Sequence, residues 1–471
     1  MSDSLTSRRS LIGAGGVLAG LAFAPRAGRA AEPRRPNILF IMADDLGYAD
    51  VSCYGRPDYK TPNIDRLATE GIRFTQAYSN SAVCSATRVG LITGRYQNRL
   101  AIGLEEPLGA RDVGLPSGHP TLPSLLKKVG YSTGLVGKWH MGPPPKYGPL
   151  RAGYDHFWGF HGGGLDYFDH TKPDTDLWDD DRRDPTPGYM TDLIGQRAIR
   201  MIDLFADAGR PFLLSLHFNA PHWPWEGPDD EAESRRISGK KGGLLDFDSG
   251  SQKTFAAMVT RMDFQIGRVL ETLKRRGLDQ DTIVIFTSDN GGERYSDNWP
   301  FVGRKTELLE GGLRIPAIVR WPGQVAPGTS SEQVIITMDW MPTFLEAAGG
   351  APDPAYPPDG ISLTAALHGA APVKRTLYWR YLNLAQEACR DGDFKYLKIL
   401  ENTFLFNVVE DPLERANLKD RLPDVYARMV AGFRAWNASM LPLDKESGTW
   451  GFTGSEAADH FGVKNNRTLD D

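Results

Sequence analysis

The 471-residue chain has only three cysteines, Cys53, Cys84 and Cys389. So few exclude a disulfide framework or a zinc cage and leave any special role to an individual thiol. Excess positive charge is also missing, since 54 Lys and Arg face 59 Asp and Glu for a net charge of -5. Arg8, Arg9, Arg26 and Arg29 against Asp3 place +3 in residues 1–30, so the remainder stands at -8. An acidic body argues against nucleic acid as a partner. The apolar stretch from Leu11 to Ala24 is about 14 residues, short of the roughly 20 a spanning helix needs, and no other run reaches that length. No stable membrane anchor is therefore expected. There is no internal repeat, and 41% hydrophobic residues suffice for a core. The length exceeds the roughly 100 to 200 residues of one small domain, so one large domain with an appendage, or two domains, is expected.

Among the features present, Ser7-Arg8-Arg9-Ser10-Leu11 precedes the short apolar stretch, and small residues surround Ala30. Residues 1–30 resemble a twin-arginine signal peptide, with a membrane anchor as the alternative. That resemblance implies a periplasmic or secreted protein and the twin-arginine export machinery as a partner. This machinery carries folded cargo, so any modification is installed before export. Further on, Ile38 to Met42, Thr133 to Val136, Phe212 to Leu216 and Thr282 to Phe286 read as buried strands. Between them, Phe255, Met258, Met262, Ile266, Val269 and Leu273 recur at helical spacing. Alternating strands and helices predict an α/β fold with a mostly parallel sheet covered on both faces.

Each strand runs into a polar segment: Asp44-Asp45, Gly137-Lys138-Trp139-His140, Asn219-Ala220-Pro221-His222, and Asp289-Asn290-Gly291-Gly292. Ligands gather beyond the carboxyl ends of strands in such sheets, so these segments should meet in one crevice. Beyond residue 370 the pattern changes to Thr376 to Tyr381, Phe394 to Leu400 and Phe404 to Val409, then a helix opened by Pro423 with Val425, Met429, Phe433 and Trp436 on one face. This predicts a small antiparallel sheet with one helix over 371–471, after a main domain at 31–370. Gly227 to Ser251 reads as a polar loop near the crevice. The aromatics of Tyr154 to Phe168 suit either a ring-stacking wall or packing beneath a loop. Asp44, Asp45, Asp289 and Asn290 offer only hard oxygen donors, which suit Ca2+ or Mg2+ and not Zn2+.

The most specific stretch is Cys84-Ser85-Ala86-Thr87-Arg88-Val89-Gly90-Leu91-Ile92-Thr93-Gly94-Arg95. It resembles the modification motif of the formylglycine-dependent sulfatases, in the alkaline-phosphatase-like superfamily. Gly130 to His140 and Glu310-Gly311-Gly312-Leu313-Arg314-Ile315-Pro316 are similar to other hallmark segments of that family. The general layout is similar to arylsulfatases and N-acetylgalactosamine-6-sulfatases, and the resemblance implies a sulfuric ester hydrolase. Its large sheet would be sandwiched by helices and followed by a small C-terminal α+β subdomain.

The same resemblance implies that Cys84 is oxidised to Cα-formylglycine by a formylglycine maturase. Asp44, Asp45, Cys84, Asp289 and Asn290 would hold one Ca2+ or Mg2+, with Asp289 accepting the nucleophile's proton. Arg88 and Lys138 would steady the hydrated aldehyde, and Lys305 would contact the sulfate. His140 would deprotonate the remaining hydroxyl, and His222 would serve the departing alcohol with Lys305. Ala86 departs from the Pro that oxygen-dependent maturases favour, while radical maturases accept Ala. His217 is expected to be a hydrogen-bonded core residue. The expected substrate is a sulfated small molecule or glycan. The alternatives are a phosphate or phosphonate ester hydrolase of the same superfamily, and a sulfated-glycan-binding protein without catalysis.

Overall fold

The computed structural model describes residues 35–104, 112–171, 176–238 and 249–443. The export reading of residues 1–30 lies outside the described residues. In chain order the strands are β1 Asn37–Ala43, β2 Ile72–Phe74, β3 Ala77–Tyr78, β4 Ser132–Lys138, β5 His156–Phe160, β6 Trp178–Asp179, β7 Arg182–Arg183 and β8 Phe212–His217. They continue as β9 Thr282–Ser288, β10 Ala317–Arg320, β11 Thr329–Ser331, β12 Ile335–Ile336, β13 Thr376–Tyr381, β14 Gln386–Asp391, β15 Phe394–Ile399 and β16 Asn402–Asn407. The helices are α1 Pro62–Thr69, α2 Cys84–Thr93, α3 Leu122–Lys128, α4 Met190–Ala208, α5 Glu231–Ser238, α6 Gln252–Arg275, α7 Glu310–Leu313, α8 Trp340–Ala347, α9 Thr364–Leu367 and α10 Pro423–Ala438.

Ten strands form one sheet in the order β11-β2-β10-β9-β1-β8-β4-β5-β6-β7. Its centre, β9-β1-β8-β4-β5, is parallel throughout; β10 and β6 join it antiparallel on either side, and β11 at one edge pairs parallel with β2. β1 shows why its sequence is apolar at every position. Ile38, Phe40 and Met42 pack with α2, α3 and α8, while Leu39 and Ile41 face α1, α4 and α6 on the other side. Each such buried side chain contributes about 2 kcal/mol. The six residues picked out at helical spacing in α6 are all buried, and Ser251 caps that helix by accepting from Thr254 N–H.

The C-terminal sheet runs β13-β14-β15-β16, antiparallel throughout, and α10 covers it with Met429, Phe433 and Trp436. β14 was not anticipated, because Gln386-Glu387-Ala388-Cys389-Arg390-Asp391 lacks apolar alternation. Pairing on both sides makes it a strand. Tyr78, Ala82, Val83 and Ala86 belong to the same cluster, so this sheet packs behind the segment that leads to Cys84.

One expectation changes and one pair of alternatives is resolved. The stretch 227–251 contains α5, anchored by buried Ser234 and Ile237, and 239–248 lies outside the described residues. Tyr154, Phe157, Trp158, Phe160 and Tyr167 are buried in the core, so the packing reading holds and the stacking wall does not. Cys53 and Cys389 are free thiols. Among the described residues no helix is long and apolar enough to cross a membrane.

Candidate active site

The four polar segments meet where strand register requires. Ala43 on β1 lies opposite Ser288 on β9, so Asp44 and Asp289 leave neighbouring strands side by side. His217 on β8 lies opposite Gly137 on β4. Lys138 is the last residue of β4 and not part of the loop beyond it. Cys84 is the first residue of α2. Val83 before it is extended and provides no side-chain cap, so the first amides of α2 are open to an anion. The glycines of the motif have local reasons. A Cβ on Gly90 would stand 2.4 Å from the Asn80 amide nitrogen, and Gly94 ends α2 at φ 66°.

Every acid of the site is paired with a different cation. Arg88 Nη2 lies 2.7 Å from Asp289 Oδ2, Lys138 Nζ 2.6 Å from Asp44 Oδ2, and Lys305 Nζ 2.7 Å from Asp45 Oδ2. All six are buried. The pairs are joined to one another, because Asp45 N–H donates to Asp289 Oδ1 at 3.2 Å and Asn290 Nδ2 donates to Asp45 Oδ1 at 2.8 Å. The Cys84 thiol donates to Asp45 Oδ1 at 3.8 Å, and His222 Nε2 is 3.6 Å from Asp45 Oδ2. Donor atoms of Asp44, Asp45, Cys84 and His222 all lie within 4.8 Å of one another. Cys84, Asp44, Asp45, Asp289, Asn290, Arg88, Lys138, Lys305 and His222 are thus brought together.

The electrostatics follow from burial. Asp44 is held above the usual carboxylate range by burial, with Asp289 and Asp45 adding to it, and Lys138 does not offset them. Asp289 stays below that range because Arg88 and Lys138 outweigh its burial. Asp44 Oδ1 and Asn290 Oδ1 are buried with no hydrogen-bond partner in the protein. Two bare hard oxygens among three carboxylates fit a divalent cation of the Ca2+ or Mg2+ kind. Burial and the neighbouring acids raise the Cys84 thiol well above its ordinary value against Lys138 and Lys305, so an unmodified Cys84 is no thiolate nucleophile.

His140 and His222 are both driven well below the ordinary imidazole value, by burial first and by the site's cations next. Both are therefore neutral near pH 7. His140 sits at φ 53°, and neither of its ring nitrogens has a protein partner. His222 Nδ1 bonds Trp223 O at 2.6 Å, leaving Nε2 toward Asp45. His217 is buried as expected, but its Nδ1 lies 3.2 Å from both Arg88 Nη1 and Lys138 O. It therefore props the Arg88 guanidinium from behind.

Some neighbours had no recognised motif. Gly163 lies flat on the His140 ring, where a Cβ would stand 2.9 Å from Cε1 and Nε2. The run Gly162-Gly163-Gly164 was the available signal for such a close approach. Trp223 packs on His222 with ring centroids 4.3 Å apart. Glu293 is buried and pushed up to about 7 by burial and by Asp45, against Lys305, and nothing in its sequence context marks it.

A cation-ready, charge-paired pocket at the carboxyl ends of parallel strands defines a hydrolase of the alkaline-phosphatase-like class. The sulfatase family profile matches residues 36–351, and the profile of the N-sulphoglucosamine sulphohydrolase C-terminal region matches 302–431. The chain belongs to the sulfatase family, whose members are sulfuric ester hydrolases. It is 32% identical to N-acetylgalactosamine-6-sulfatase of Canis lupus familiaris, over 75% of this chain and 70% of that one. It is also 32% identical to arylsulfatase A of Homo sapiens, over 77% of this chain and 74% of that one. The crystal structure of Ps i-CgsB in complex with k-i-k-neocarrahexaose superposes with a TM-score of 0.80 at 28% identity, covering 93% of this chain and all of that one.

Proposed function

We propose that this protein hydrolyses sulfate monoesters, of sugar or aryl alcohols, to the alcohol and inorganic sulfate. The carrying observation is Cys84 at the open start of α2, its thiol beside a carboxylate cluster in which each acid has its own cation. In this reading a maturase converts Cys84 to Cα-formylglycine in the cytoplasm, and the twin-arginine route exports the folded product. As its hydrate, residue 84 offers one hydroxyl to attack sulfur and a second whose deprotonation lets sulfate leave by C–O cleavage. Asp44, Asp45, Asp289, Asn290 and residue 84 would hold a divalent cation, which would supply Lewis acidity toward a sulfate oxygen and a neighbouring hydroxyl.

The remaining steps belong to side chains. Asp289, kept ionised by Arg88 and Lys138, accepts the proton of the attacking hydroxyl. Arg88 and Lys138 hold the hydrate in place. Lys305 reaches the sulfate and, with His222, stabilises the departing alcohol. Neutral His140 takes the last proton as sulfate leaves. Three cations against three carboxylates leave the charge of one divalent ion facing the substrate. That charge suits an anionic ester. The likeness to N-acetylgalactosamine-6-sulfatase and to Ps i-CgsB in complex with k-i-k-neocarrahexaose supports a sulfated carbohydrate as substrate.

Mass spectrometry of the Cys84 peptide tests the reading, because conversion to formylglycine removes about 18 Da. Turnover of 4-nitrophenyl sulfate and a panel of sulfated sugars should vanish in Cys84→Ala while the melting profile persists. An intact thiol with undiminished activity, or faster turnover of phosphate esters, would overturn it.

A further inference from the structure

Lys305 carries a reactive role, yet its neighbours along the chain are not held by the catalytic sheet alone. Lys305 N–H donates to Gly292 O at 3.0 Å, and Thr306 N–H donates to Ala82 O at 2.9 Å, two residues before Cys84. Thr306 sits at φ 73°. A β-branched residue rarely adopts that conformation and keeps it only where its surroundings impose it. The group that imposes it comes from the C-terminal sheet. Gln386, the first residue of β14 and 1% exposed, donates from Nε2 to Thr306 O at 2.9 Å and accepts Leu308 N–H on Oε1 at 2.8 Å. Nε2 also donates to Asn383 O at 3.0 Å, across the turn joining β13 to β14. That turn is itself unusual, since Leu384 and Ala385 stand at φ 58° and 45°.

We infer that Gln386 is a positioning residue for the sulfatase reaction: one amide from the C-terminal sheet clamps both sides of the Thr306 turn and sets where Lys305 meets the substrate. The inference rests on the role proposed above for Lys305. Trp379 Nε1, from β13 of the same sheet, donates to Ser79 O at 2.9 Å. The sheet therefore braces the approaches to both Cys84 and Lys305, and the small subdomain aligns nucleophile and cation against each other. A clamp of this kind acts through geometry. An ammonium displaced by a fraction of an ångström still pairs with Asp45 but serves the departing alcohol less well.

The test is a double-mutant cycle of Gln386→Met and Lys305→Ala, read on phenyl sulfate and 4-nitrophenyl sulfate. Lys305 matters most for the poorer leaving group. Gln386→Met should lower kcat/KM about tenfold on phenyl sulfate and about threefold or less on 4-nitrophenyl sulfate. In the Lys305→Ala background it should lose nothing further, because the clamp then positions nothing. Gln386→Glu has the same length and keeps the acceptor for Leu308 N–H but turns a carboxylate oxygen against Thr306 O and Asn383 O, so it should lose at least as much as Met on phenyl sulfate. If Lys305→Ala shows no dependence on leaving group, the role given to Lys305 fails. If Lys305→Ala does show it but Gln386→Met loses the same factor in both backgrounds, only the inference about Gln386 fails. Should neither Gln386 variant give a folded protein by thermal melting, Gln386 is a folding residue and the inference is overturned.

Discussion

Replacing Gly163 by Ala isolates the role of His140 without touching a charge. The new Cβ would stand 2.9 Å from His140 Cε1 and Nε2, where ordinary contact begins near 3.4 Å. Ring or loop must therefore retreat by about half an ångström. Because neither ring nitrogen has a protein hydrogen bond to lose, the retreat costs little stability, about 1 kcal/mol or less. Catalysis is less tolerant. A 1 Å misplacement is worth about 100-fold, so half of that is worth about tenfold, or about 1.4 kcal/mol on the barrier. His140 is assigned to sulfate release, a step that follows loss of the alcohol. kcat should thus fall toward one common value for phenyl and 4-nitrophenyl sulfate, and stopped-flow traces should gain a burst of phenol equal to the enzyme present. Gly164→Ala is the internal control, since its Cβ would meet His222 Cε1 at an ordinary 3.4 Å. A Gly163→Ala enzyme with kcat within about twofold of wild type would refute the placement of His140 at the reacting centre. So would equal losses in both glycine variants.

Arg88→Met should destabilise the fold by about 3 to 5 kcal/mol, because it leaves Asp289 buried without its 2.7 Å partner. For a chain of this size that lowers the melting midpoint by about 4 °C, whereas Arg235→Ala at an exposed pair should change nothing measurable. Chelation should abolish turnover and lower the melting midpoint by about 3 °C, the equivalent of removing a ligand at 100 times its Kd. Restoration by Zn2+ in place of Ca2+ or Mg2+ would contradict the oxygen donor set. Glu226 is buried and pushed up to about 9, from 4.5, by burial and by Asp166. Folded protein thus holds a proton there that the unfolded chain has released, so stability falls as pH rises from 4.5 toward 9. Glu226→Gln mimics the protonated form and should flatten this dependence, gaining about 2.7 kcal/mol on wild type between pH 6 and pH 8 in chemical denaturation. Parallel pH profiles for the two proteins would show that Glu226 is ionised in the fold.

Much of the site was legible because its chemistry is written in contiguous runs. Asp44-Asp45, Lys138 with His140, His222, Asp289-Asn290 and the Cys84 motif each follow or end a strand or open a helix, and parallel strands bring such ends together. The buried strands of the central sheet and the apolar face of α6 were legible for a related reason, since local periodicity reports which faces are covered. β14 was not, because Gln386 to Asp391 owes its conformation to partners on both sides. The aromatics of Tyr154 to Phe168 were ambiguous, since a stacking wall and a packed core use the same residues and only burial separates them.

Residue order and type were enough to suggest the chemistry proposed above: hard oxygen donors, Cys84 in a sulfatase-like motif, two histidines beyond strand ends and fixed cations. Tertiary structure alone decided which acid each cation serves, that Gly163 lies against His140, and that Gln386 reaches over from a separate sheet to hold the turn beside Lys305. The physical reason is range. Periodicity and motifs record interactions within a few residues, whereas the Lys305–Asp45 pair joins groups 260 positions apart and the Trp379–Ser79 hydrogen bond groups 300 apart, and only the folded chain measures those distances.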